Sequence, residues 1–468
     1  MNSIFILVLL LSSNLLSSGN EVAAGGEVNQ VCAKVYGLLN CNKEKCDAKC
    51  NDPEYVGTCI ANISLLLKMK STTYHLVLVV TFAYVISVMV DGSTRSNETL
   101  SSRRGLYRHK KHNGPCVAHN IIDKCWRCDP KWADNRQKLA GCVQGFGHNT
   151  TGGKGGKIYV VTTSVDDDVI NPKPGTLRHA VLQPEPLWII FSRHMNIKLC
   201  RELIFTSNKT IDARGFHIHI AGGAGIMLQN IRNIIIFNIH MYDITPAKGG
   251  MIKSAPHHVG VRGASDGDAI CIFGSTDVWI DHCSFGNSYD GLIDVVARST
   301  DITISNNHFV RHDKALLFGA SDETPDENMK VTLAFNHFGK GLTQRLPAVR
   351  WGFVHVVNND YTMWKSYAIG GAKGATIISQ GNRYKAEHGA AKEVTHRNQA
   401  EKSEWCKWTW RSEGDWMLNG AFFVNSGNPH WAKKYKGYPL LRPEPAHRVH
   451  ELTNFAGAAL GCRVGLPC

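Results

Sequence analysis

The chain has 468 residues, 43% of them hydrophobic and 19% charged, enough for one large globular domain with appendages. Its formal net charge of +13 favours an anionic partner, which leaves nucleic acid, a membrane surface or an acidic polysaccharide. Fifteen cysteines and four glycosylation sequons (Asn62, Asn97, Asn149, Asn208) point to an oxidising, exported environment and argue against nucleic acid.

Residues 1–24 read as a signal peptide. An apolar run over residues 4–16 ends in small residues, with Ala23 and Ala24 as a further cleavage point, although no basic residue precedes it. Residues 25–68 hold Cys32, Cys41, Cys46, Cys50 and Cys59. Cys46 and Cys50 would share one face of a helix, so both thiols could bridge to one strand. The pattern resembles a plant defensin-like peptide without its final Cys-x-Cys strand; a Cys-containing leader with no fold is the other reading. Residues 69–92 open on Met69 and Lys70 and continue into an apolar run over 76–90. That run is shorter than the about 20 residues of a membrane-spanning helix, so it reads as a second signal-like segment and no stable membrane insertion is expected. Two signals in one chain read as two reading frames joined. Residues 93–114, rich in Ser, Arg, Lys and His, form a basic linker.

From residue 115 to 468 the pattern changes to short apolar runs separated by Asn, Asp and Gly, without helical stripes. Aligned on one large apolar position, the runs end at Met241, Phe285, Phe309, Phe338, Tyr361 and Tyr384. The intervals are 44, 24, 29, 23 and 23 residues, and the first is read as two turns. Two residues before the last four markers stand Asn307, Asn336, Asn359 and Asn382. A β-rich repeat with a period in the twenties is the signature of a β-solenoid. Each coil would contribute three short strands, with inward side chains stacked in ladders and Asn amides bonded along the axis at a turn that tolerates left-handed backbone. Coils of unequal length place long loops on one face.

Asp290-Gly291-Leu292-Ile293-Asp294 carries two carboxylates, followed by Lys314, Arg345 and Arg350. Four residues apart in an extended segment, Asp290 and Asp294 are expected on one side of one strand. Carboxylates can hold a hard cation, arginine matches a planar carboxylate with two parallel hydrogen bonds, and lysine adds a point charge. The set suits a polyanion bridged by a metal.

Several ordered motifs resemble the plant pectate lyase family, in its pollen-allergen branch of the ragweed and mugwort type. They begin with Cys125-Trp126-Arg127-Cys128-Asp129-Pro130-Lys131-Trp132, Asn135-Arg136-Gln137, Gly145-Phe146-Gly147 and Gly152-Gly153-Lys154. They continue with Pro186-Leu187-Trp188-Ile189-Ile190-Phe191, Lys209-Thr210-Ile211-Asp212, Ser265-Asp266-Gly267-Asp268-Ala269-Ile270 and Trp279-Ile280-Asp281-His282. The resemblance implies an all-β, right-handed parallel β-helix that cleaves polygalacturonate by calcium-dependent β-elimination, as a monomer secreted to the plant cell wall. It also implies Ca2+ ligands at Asp268, Asp290 and Asp294, with Asp266 as a further candidate. Arg345 matches the family's proton-abstracting arginine, Lys314 its substrate-binding lysine in His312-Asp313-Lys314, and Arg350 is expected to grip a neighbouring carboxylate. Arginine is ordinarily always charged, so Arg345 would act in a neutral form favoured by calcium and Lys314, or through a held water or hydroxide. A catalytically weak, pectin-binding homologue is the alternative.

Other residues carry plainer readings. Cys125 and Cys128 lack a second pair at zinc-ribbon spacing and are expected in disulfides. His257 and His258 have no companion ligands and belong in a loop. His282 is expected to be buried and structural. Gly222-Gly223-Ala224-Gly225 precedes no helix pattern and reads as a solenoid turn.

Overall fold

The apolar runs become strands of two to six residues, and the chain turns from one sheet to the next at a single left-handed residue. Arg232–Phe237, Thr276–Asp281, Thr300–Ser305, Lys330–Ala334 and Phe353–Val357 are each followed by such a residue. These are Asn238, His282, Asn306, Phe335 and Asn358, at φ between 50° and 63°. The computed structural model describes residues 116–322, 326–398, 400–458 and 460–468. The segments read above as signals, Cys-rich piece and linker (1–24, 25–68, 69–92, 93–114) lie outside the described residues.

The result is a right-handed parallel β-helix. Among the described residues three sheets of ten, eight and nine strands run the length of the molecule, each strand pairing in parallel with its equivalent in the next coil. Inward side chains make one continuous core of Ile, Val, Leu and Phe. Phe285, Phe309, Phe338, Tyr361 and Tyr384 stack with ring centroids 4.5–5.3 Å apart. Each such pair contributes about 0.5–1.5 kcal/mol beyond its buried area.

Beside this stack the asparagine amides form the expected ladder. Asn307, Asn336 and Asn359 each donate from Nδ2 to the next asparagine's Oδ1 at 2.9–3.1 Å. Asn382 ends the row on the Asp415 carboxylate at 3.1 Å. The left-handed residue is the one before each ladder asparagine, so turning and bonding fall on adjacent positions rather than on one.

The 44-residue interval is a single coil, not two. Met241 pairs directly with Phe285. The surplus is an insertion between Ile239–Tyr242 and Ile270–Phe273, which holds the antiparallel hairpin of Gly250–Ala255 and His258–Arg262. His257 and His258 lie at its tip. The Gly222–Gly225 run is a turn, and the approach of coils there is close: a Cβ on Gly225 would lie 1.9 Å from the Asp268 carbonyl oxygen.

The outer face of the ten-stranded sheet carries Trp188, Phe237 and Trp279. These are covered by Ile122, Trp126, Trp132 and Leu139 from the start of the domain and by Leu452 and Leu460 from its end. Disulfides Cys116–Cys128 and Cys125–Cys142 staple the first part of this cover and Cys462–Cys468 the last. His282 is buried under it between Asp281 and Asp123, 3.2 Å from the latter. Burial opposes its charge, but the two carboxylates prevail and raise its pKa to about 9. No helix among the described residues is long and apolar enough to cross a membrane.

Candidate active site

The eight-stranded sheet brings distant residues into one row. Ile270 pairs with Ile293 and Ile293 with Leu316. Two residues before each of these stand Asp268, Gly291 and Lys314, so they occupy equivalent positions in three successive coils. In the fourth coil Lys314 pairs with Gln344, and the carbonyl of Arg345 accepts the Leu316 N–H at 2.8 Å. Residues 77 positions apart in sequence, from Asp268 to Arg345, thus meet at one corner.

Two carboxylates at this corner have buried oxygens without a hydrogen-bond partner, Asp268 Oδ2 and Asp294 Oδ1. Asp268 Oδ1 accepts the Gly291 N–H at 2.6 Å. A Cβ on Gly291 would sit 2.4 Å from Asp294 Oδ1 and 2.8 Å from Asp268 Oδ1, so only glycine lets the two acids share the space. Burial, then Asp266, raises the Asp268 pKa to about 7. Burial and the charges of Asp268, Asp290 and Asp266 hold Asp294 well above the usual carboxylate range, while Arg345 opposes the shift. The Cys271 thiol, opposite Asp294 in the pairing, is pushed up by burial and by Asp268. Concentrated negative charge in a dry place is unfavourable unless neutralised, and an oxygen-rich donor set with orphaned lone pairs fits a hard cation. Among the described residues no group of three or more His, Cys, Asp or Glu side chains is arranged to hold a metal ion by itself.

Asp290 departs from the sequence expectation. It lies in the bend before Ile293–Val296, not in the strand with Asp294. It still bears on Asp294 electrostatically, and Lys314 Nζ lies 3.4 Å from its Oδ1. Asp266 is exposed, on the far side of Gly267 from the buried Asp268.

Arg345 adopts left-handed backbone, φ 58°, and lies near Tyr367, whose pKa is raised by burial, a shift that the Arg345 charge opposes. Tyr367 is itself fixed by stacking on His396, with ring centroids 4.8 Å apart. Arg350 lies on the outward side of Ala348–Arg350, where Nε is 3.3 Å from Asp322 Oδ1 and Nη1 donates to the Gly319 carbonyl at 3.3 Å. Its guanidinium already has a carboxylate partner. Three supporting residues escaped the sequence reading as individuals: Gly291, Tyr367 and His312, whose ring nitrogen contacts the Asp290 carbonyl at 2.5 Å. Each acts through backbone space or a neighbour, which leaves no spacing signal.

A family profile described as pectate lyase matches residues 147–406. A tobacco (Nicotiana tabacum) protein named pectate lyase is 56% identical over 389 residues, covering 82% of this chain and 98% of the relative. The chain belongs to the pectate lyase family. A second pectate lyase, from Lilium longiflorum, is 54% identical over 375 residues, covering 80% of this chain and 86% of the relative. The crystal structure of jun a 1, the major allergen from cedar pollen, superposes with a TM-score of 0.70 at 44% identity. It covers 72% of this chain and 99% of the allergen. The pectate lyase homology accounts for the β-helix.

Proposed function

We propose that the protein is a secreted plant cell-wall enzyme that cleaves (1→4)-α-D-galacturonan by calcium-dependent β-elimination, releasing oligogalacturonides unsaturated between carbons 4 and 5. The observation that carries this reading is the pair of orphaned, buried carboxylate oxygens on Asp268 and Asp294, with Lys314 two coils from Asp268 in the same row and the Arg345 charge bearing on Asp294.

Asp268, Asp290 and Asp294 would hold the calcium ion, with Asp266 at its exposed edge. A calcium ion held by these acids would supply positive charge to the substrate carboxylate, which would make the neighbouring carbon-5 proton more acidic. Lys314, 3.4 Å from Asp290, places a positive charge at the lip of the strip, where it holds a second feature of the same uronate. Arg345, in its neutral form, takes the carbon-5 proton and becomes the guanidinium cation; the C–H electron pair becomes the carbon 4–carbon 5 double bond as the glycosidic oxygen departs and is protonated from water. Tyr367, held by its stack on His396, would bound the space in which the guanidinium moves. Arg350 binds a substrate carboxylate by exchanging it for Asp322, which lets it retain a paired charge throughout.

The test is absorbance of the unsaturated product in the near ultraviolet on polygalacturonate, with calcium and with a chelator. Product that requires calcium supports the reading. Calcium-independent product, or none under either condition, overturns it.

A further inference from the structure

The row of Asp268, Gly291 and Lys314 continues past the acids in the other direction. Leu203 pairs with Ile226 and Ile226 with Ile270. Two residues before Leu203 is Arg201, at the position equivalent to Asp268, two coils away. At about 4.8 Å per coil that is roughly 10 Å along the axis.

Arg201 lines an open cavity of about 420 Å³ with Cys200, Pro246, Ala247, Lys248 and Val169, and with Asp167 at its edge. The cavity adjoins the acid strip directly. Pro246 Cδ lies 3.2 Å from where a Gly267 Cβ would be, and Gly267 stands between Asp266 and Asp268. Its floor is rigid. The buried Arg178–Asp166 pair donates to the carbonyls of Arg201 at 2.7 Å and Glu202 at 2.8 Å, and accepts the Cys200 N–H at 2.8 Å. The Arg201 guanidinium is laid against the hairpin base. Nη1 donates to the Gly249 carbonyl at 2.5 Å, and Gly250, at φ 144°, leaves the space a Cβ would take 2.9 Å from Nη2. Neither Arg201 nor Lys248 makes an ion pair among the described residues, whereas Asp167 pairs with Lys173 at 3.6 Å. The cavity therefore presents two uncompensated cations and one compensated acid.

We propose that this cavity is a distal uronate-binding subsite, in which Arg201 and Lys248 hold the carboxylate of a galacturonate unit away from the cleavage point. The inference rests on the reading of the site as a polygalacturonate lyase. Its logic is the repeat of the ligand: a polymer with one carboxylate per sugar, lying along a row of regularly spaced coils, meets cations at both ends of the acid strip. Lys314 is at one end and Arg201 at the other. The guanidinium supplies the planar donor edge and Lys248 a mobile point charge.

The experiment compares KM for polygalacturonate with KM for trigalacturonate in the wild type, Lys248→Ala, Lys248→Glu and Arg201→Lys. Loss of one exposed charge contact raises the ratio of long-chain to trimer KM by about 1.5-fold to fivefold. Lys248→Glu raises it further, because it repels the uronate. Lys248 supports no other residue through any described bond, so its variants are expected to keep the wild-type melting temperature. An unchanged ratio in all three variants, with an active wild type, overturns the distal subsite alone. No product from the wild type on either substrate overturns the lyase reading and this inference with it.

Discussion

Two corners of the same coil carry buried polar rows, and they treat those groups in opposite ways. Where the ten-stranded sheet turns into the nine-stranded one, each ladder asparagine is donor to one coil and acceptor from the other. Where the chain enters the eight-stranded sheet, Asp268 and Asp294 keep buried oxygens with no partner. Both rows come from the same repeat and the same register. The first is a closed hydrogen-bond account along the axis and can only stabilise. The second leaves two acids close together with unpartnered oxygens, and the proposed calcium site rests on that feature.

The widest separation between the corners is expected from Arg345→Lys. It keeps the charge but loses the planar fork, so turnover should fall by about 10²–10⁴-fold with little change in KM. Steady-state kinetics on polygalacturonate decide it. Near-normal turnover would give proton removal to another group. Next in size is Asn336→Ala in the closed row. It strands the Asn307 N–H donors and the Ile304 carbonyl, and should cost about 2–5 kcal/mol in chemical denaturation while leaving calcium affinity unchanged. Asp294→Asn should do the reverse, weakening calcium binding in calorimetry by about tenfold to hundredfold, with activity partly restored by excess calcium and stability kept or raised. Loss of stability in both variants alike would erase the distinction between the corners.

Acidity supplies a further contrast within the closed corner. The folded pKa of His282, about 9, lies above its unfolded value, so its contribution to stability is complete below about pH 6.5 and is lost as pH rises through about 9. His282→Gln should flatten melting temperature over that window. The smallest effect belongs to Arg350→Ala, since Arg350 exchanges one carboxylate partner for another. KM should rise about threefold or less with kcat kept, and a larger loss in kcat than in KM would swap its role with Arg345.

The sequence made the closed row easy to see, because one asparagine per coil at a fixed offset from an aromatic is a periodic signal, and hydrogen bonding along the axis requires that period. The acid strip was legible only in part. Asp268, Asp294, Lys314 and Arg345 could be named by resemblance, but their convergence depends on register across four coils, which spacing does not encode. The 44-residue interval misled for a related reason. The hairpin of Gly250–Ala255 and His258–Arg262 has the same β-forming composition as a coil, and length alone cannot separate an inserted ribbon from a further turn. Asp290 was misplaced in the strand because alternation fixes sides only after the strand has begun. The partner of Arg350 was hidden because Asp322 reaches it from a loop 28 residues earlier, with no repeat to announce it.

The pairing of Met241 with Phe285 across the inserted hairpin shows that the scaffold does not register what is added at this corner. The strands on either side keep their neighbours, and the insertion rejoins the coil immediately before Asp266 and Asp268. A lineage can therefore lengthen, shorten or exchange this segment without renegotiating the folding of the rest. Changes in the length or make-up of this segment are accordingly expected to alter the surroundings of the acids while leaving the pairing of the coils as it is.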